Sequence, residues 1–75
     1  MATIKMALQA KEKVREMLKD LPGINGIGVT WDDEGHPCVR VNVDFEIDES
    51  DRRKIPSRVQ GVPILVEVTG HAQME

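Results

Sequence analysis

The residues best suited to chemistry lie close together: Asp32-Asp33-Glu34-Gly35-His36-Pro37-Cys38. Carboxylates, an imidazole and a thiol within seven positions are the donor types of a metal site or an acid–base pair. The spacing does not favour either. His-x-Cys is not a structural-zinc pattern, and a second close ligand pair is missing, because His71 stands alone near the C-terminus. Carboxylates on a solvated turn also lack the burial that shifts acid–base behaviour. The simpler reading of Asp32, Asp33, His36 and Cys38 is a polar loop followed by a half-exposed cysteine.

Two further stretches invite a binding reading. Gly23-Ile24-Asn25-Gly26-Ile27-Gly28 contains a Gly-x-Gly, but no helix follows it, so a phosphate cradle fails on context. Arg52-Arg53-Lys54 could hold an anion, yet acids before and bases after a short helix are what its dipole favours. No Ser-His-Asp arrangement can be assembled around His36 or His71. The expectation is therefore no enzyme, with no catalytic, cofactor-binding or metal residues and no cofactor.

Composition narrows the partners. The formal charge is −3 with acids and bases mixed, and Trp31 and Phe45 are the only aromatic residues. A nucleic-acid binder would normally carry a basic footprint and stacking platforms. No apolar run approaches the roughly 18 residues of a membrane span. Met1-Ala2-Thr3-Ile4-Lys5 lacks a signal-peptide pattern, so the expected location is cytoplasmic, with no nucleic acid or membrane partner.

The elements that position these residues follow from periodicity. Cys38–Ile47 alternates without a break: Val39, Val41, Val43, Phe45 and Ile47 on one side, Cys38, Arg40, Asn42, Asp44 and Glu46 on the other. That pattern predicts a strand with one dry and one wet face. Ile24–Trp31 is a second alternating run, and the acidic turn joins the two as an antiparallel hairpin. Residues 3–21 read as a helix capped by Thr3. Ile4, Ala7, Leu8, Val14, Leu18 and Leu21 form its apolar stripe, which Met6, Ala10 and Met17 widen on one flank; the first expectation is that Met6 and Met17 fill irregular gaps in the core, the second that they form a soft exposed patch for a partner. Asp48–Ile55 reads as a short helix with Asp48 as its cap, stopped by Pro56. Pro56–Gly61 should make one more turn, packing Ile55 and Val59 inward. Val62–Thr69 is the last strand, with Val62, Ile64, Val66 and Val68 inward.

The expected fold is one α+β domain over 1–75, ordered from about 3 to 70, with a tail at 71–75. It is a two-layer α-β-β-α-β sandwich whose three-stranded sheet carries both helices on one face. The second helix makes the crossover, so the strands before and after it run parallel. A core this small and two open sheet edges make an associating partner physically reasonable.

Several motifs carry a resemblance. Leu21-Pro22-Gly23-Ile24-Asn25-Gly26-Ile27-Gly28-Val29, Asp33-Glu34-Gly35-His36-Pro37, Ile55-Pro56, Gly61-Val62-Pro63-Ile64 and Val68-Thr69-Gly70 resemble a small bacterial domain of uncharacterised function. Segments similar to that domain occur beside trypsin-like peptidases and also alone. The likeness covers most of the chain after the first helix and rests on glycine and proline punctuation. It implies no catalytic or ligand residues. Two functions compete. One is a non-catalytic interaction or oligomerisation module, forming a homodimer or holding a protein partner through a sheet edge or the Met6/Met17 flank. The other is a peptidase-associated chaperone or inhibitor resembling a pro-segment, whose tail after Gly70 enters a protease cleft by strand addition.

Overall fold

The computed structural model describes residues 3–69. Its elements are α1 (Ile4–Leu18), β1 (Ile24–Trp31), β2 (Pro37–Val43), α2 (Glu49–Arg52), β3 (Arg58–Val59) and β4 (Val62–Val68). The fold is α+β, and the sheet runs β1-β2-β4-β3. β1 pairs antiparallel with β2, and β4 pairs parallel with β2. The sequence left the neighbour of the last strand open; the structure places it beside β2.

The sheet has four strands, not three. β3 escapes a periodicity reading because it is two residues long. It is joined to β4 by Gln60 at φ 53° and Gly61 at φ 79°, with Val59 opposite Val62. Two consecutive left-handed residues make a type I′ turn, the hairpin connection whose twist matches its strands. Val59-Gln60-Gly61-Val62 was the available signal, muted because Gln-Gly is a weaker turn pair than Asn-Gly.

Thr3 caps α1 as expected, its Oγ1 accepting from the Met6 N–H at 3.2 Å. The buried stripe, however, is Ala7, Ala10, Val14 and Leu18, while Ile4 and Leu8 are exposed. Small alanines let the helix lie close to the sheet and turn that face inward. Larger apolar side chains are left on its shoulders: Ile4 and Leu8 on one, Met6 and Met17 on the other.

The second helix does not cover the sheet. α2 buries none of its residues and packs against no strand. Asp48 has the extended backbone of a cap but makes no capping hydrogen bond. After Arg52 the chain tightens into turns, Lys54 N–H donating to Asp51 C=O and Ile55 N–H to Arg52 C=O. Ile55 and Val59 then enter the core. The layer over the sheet is therefore α1 alone, resting on Val39, Val41, Val43, Val62 and Ile64.

β2 ends at Val43, four residues before the alternation does. The Asp44 carboxylate accepts from Glu46 N–H at 3.2 Å, and Asp44 C=O accepts from Ile47 N–H at 3.1 Å. This turn chemistry overrides the period-two pattern. Phe45, expected in the core, is 63% exposed. Val68, the last residue of β4, is exposed as well. Ile47 folds back over Gly23, whose φ is +89°; a Cβ there would sit 3.0 Å from Ile47 Cγ1. Both the left-handed backbone and the close approach require glycine.

Candidate interaction surface: the open edge of the sheet

The acidic turn is a three-residue hairpin loop. Asp32 N–H donates to His36 C=O at 2.9 Å, and Gly35 N–H donates to Asp32 C=O at 3.0 Å. Gly35 has the left-handed φ of +83° that this loop needs at its third position. The Asp32 Oδ1 accepts from the N–H groups of Glu34 and His36 at 2.9 and 2.8 Å. Those backbone donors, His36 first, hold the Asp32 carboxyl below its ordinary value. Its carboxylate thus serves the turn.

The structure brings His36 near two acids, with Nδ1 3.7 Å from Asp32 Oδ2 and 3.6 Å from Glu34 Oε1. It does not bring Cys38 into that group. Among the described residues no three His, Cys, Asp or Glu side chains are placed to hold a metal ion. Cys38 was expected on a wet face; it is 0% exposed, in the central strand with β1 on one side and β4 on the other. Burial, and secondarily the charge of Asp32, push its thiol pKa up. A raised pKa disfavours the thiolate and with it nucleophilic reactivity.

The sheet face away from α1 carries Arg40 and Asn42 on β2, Leu65 and Glu67 on β4, and Gly26, Gly28 and Thr30 on β1. An open depression of about 480 Å³ there is lined by Thr30, Trp31, Arg40, Leu65, Val66 and Glu67. Arg40 Nε lies 3.8 Å from Glu67 Oε1. Arg40 Nε and Asn42 Oδ1 are shielded from solvent without a hydrogen bond. The cation and the anion on this face neutralise each other, so it carries no strong charge signal. Of the bases on and after α2, Arg53 Nε lies 3.6 Å from Glu49 Oε2 and Lys54 Nζ 3.7 Å from Asp51 Oδ1.

The β1 edge is different. The Asp32–His36 bond makes that pair hydrogen-bonded, and antiparallel pairs alternate between bonded and non-bonded. With Thr30 opposite Cys38, Gly28 opposite Arg40 and Gly26 opposite Asn42, those residues carry the β1–β2 ladder. The N–H and C=O groups of Ile27, Val29 and Trp31 therefore point away from β2. No strand lies beyond β1 among the described residues.

Proteins usually blunt such an edge with lysine, proline, a bulge or a cover. Ile24–Trp31 contains no charged residue and no proline. Its one irregularity lies between Ile24 and Gly26, leaving Ile27 to Trp31 in regular register. Trp31 ends the strand 56% exposed. Sequence reasoning anticipated open edges; it could not say which strands were outermost.

Met6 and Met17 are exposed and do not fill gaps in the core as first expected. No described helix is long and apolar enough to cross a membrane. The tail at 71–75, expected to reach a protease cleft, lies outside the described residues. Comparison of the chain with family models, curated proteins and solved structures finds no match in any of the three.

Proposed function

We propose that this chain is a small, non-catalytic interaction module that binds another polypeptide by adding a strand to its β1 edge. The supporting observation is the outward row of main-chain donors and acceptors on Ile27, Val29 and Trp31, in a strand free of charge and proline. Main-chain pairing supplies affinity, and pockets for alternate side chains supply selectivity.

Amide hydrogen exchange tests this reading. In the isolated chain, Gly28 and Thr30 amides exchange slowly because they belong to the ladder, whereas Ile27, Val29 and Trp31 exchange fast. An added strand slows the outward three. A soluble Thr/Val-alternating peptide with lysine ends is a suitable probe at millimolar concentration. If neither that peptide nor raised protein concentration slows those three amides, strand addition at β1 is wrong.

A further inference from the structure

We infer that the strand β1 accepts is β1 of a second copy, antiparallel, with the two-fold axis passing through Val29. The inference rests on strand addition at β1 and names its occupant.

The first argument is hydrogen-bond register. Outward groups must meet outward groups, and these sit on Ile27, Val29 and Trp31. An axis at Val29 sets Ile27 opposite Trp31 of the second copy, Val29 opposite Val29, and Trp31 opposite Ile27. All three outward residues are then used, and each pair exchanges two hydrogen bonds. An axis at Gly28 would instead set Trp31 against Asn25, where the register of β1 is broken between Ile24 and Gly26.

The second argument is side-chain complementarity. Residues opposite each other on an antiparallel pair project to the same face. Ile27, Val29 and Trp31 share the α1 face of β1, opposite Val41, Val39 and Pro37 of β2. Ile27 and Val29 are only partly buried there, and Trp31 is exposed. In this register each Trp31 indole lies beside Ile27 of the other copy, covering two apolar surfaces at once. The two copies then form one continuous eight-stranded sheet, twice the four strands of one chain, with both α1 helices on the same side.

The third argument is charge. β1 runs directly into Asp32-Asp33-Glu34. A parallel partner would set two such acidic turns side by side. The antiparallel arrangement sends them to opposite ends of the ribbon, where Asp32 meets Gly26 and Asp33 meets Asn25 of the second copy.

Sedimentation velocity and amide exchange on the full chain, across micromolar to millimolar concentration, test this. The expected result is a monomer–dimer equilibrium in which Ile27, Val29 and Trp31 amides gain protection in step with dimer formation. Val29→Pro removes the donor at the axis without touching the β1–β2 ladder, and should weaken the dimer on the order of ten- to thirty-fold. Trp31→Lys, at an exposed position, should weaken it while leaving the circular dichroism spectrum unchanged, and keeps the test valid if the proline variant folds poorly. Val29→Cys, in a chain with Cys38→Ala, should form an intermolecular disulfide, and Gly28→Cys should not. A monomer at millimolar concentration whose three amides are still protected by the lysine-ended peptide overturns self-pairing and leaves strand addition standing. A dimer whose three amides stay fast overturns self-pairing at β1, and if the lysine-ended peptide also leaves them fast, strand addition falls with it.

Discussion

The main-chain N–H of Asp32 donates to the carbonyl of His36 at 2.9 Å, and this bond sets the phase of the whole β1–β2 ladder. From it follows, two residues at a time, which β1 amides face β2 and which face away. Polar residues that looked like a candidate metal site thus act as the turn that decides which main-chain groups the β1 edge leaves outward.

The turn itself is open to test. Gly35 has a left-handed φ of +83° with nothing within 4 Å of an added Cβ, so Gly35→Ala carries only the backbone cost. A loss of about 1–2 kcal/mol is expected in urea denaturation. Gly23→Ala combines a φ of +89° with the Ile47 contact at 3.0 Å and should lose more. Equal losses would contradict the packing of Ile47 over Gly23.

The end of β2 gives a paired prediction. Val41 is fully buried, and Val41→Ala should cost about 2 kcal/mol. Phe45 is mostly exposed, and Phe45→Ala should stay within about 0.5 kcal/mol of the wild type. A large loss from Phe45→Ala would mean that the strand continues past Val43.

Asp32 makes stability depend on pH in the acid range. Its carboxyl is held below the ordinary 3.8, chiefly by the His36 N–H. A folded pKa below the unfolded one stabilises the fold above the unfolded value and ceases to do so as pH falls through the lowered folded value. Asp32→Asn should therefore be less stable than wild type at neutral pH, with the gap narrowing below about pH 4. A gap unchanged down to pH ~2 would show that the carboxylate charge is irrelevant to the turn.

Cys38 should resist thiol reagents while the chain is folded. Burial, then Asp32, raise its pKa above the ordinary 9.0, so the folded state prefers the neutral thiol. That preference adds stability below pH 9.0 and is lost as pH rises through the raised value. Reaction with a disulfide reagent at pH ~8 should be roughly a thousandfold slower than in urea. Fast labelling of the native chain would place the thiol on an open surface.

Local pattern was enough for much of this protein. Alternation in Ile24–Trp31 and Val62–Thr69 marks two strands, the second to within one residue of its observed end at Val68, because period two is a property of a strand by itself. The hairpin, the Thr3 cap and the inward turn of Ile55 and Val59 were legible for the same reason: each depends on residues a few positions apart.

Other features needed the assembled molecule. The position of β4 beside β2 is a choice between distant segments, and it alone makes β1 an edge. The burial of Cys38 comes from strands on both sides of β2, not from its own neighbours in sequence. Phe45 kept the strand period yet left the sheet, because hydrogen bonds to Asp44 outweighed a pattern that only packing could reward. The rotation of α1 onto Ala7 and Ala10 was likewise decided by how closely a helix can approach a sheet, a distance that no single segment contains.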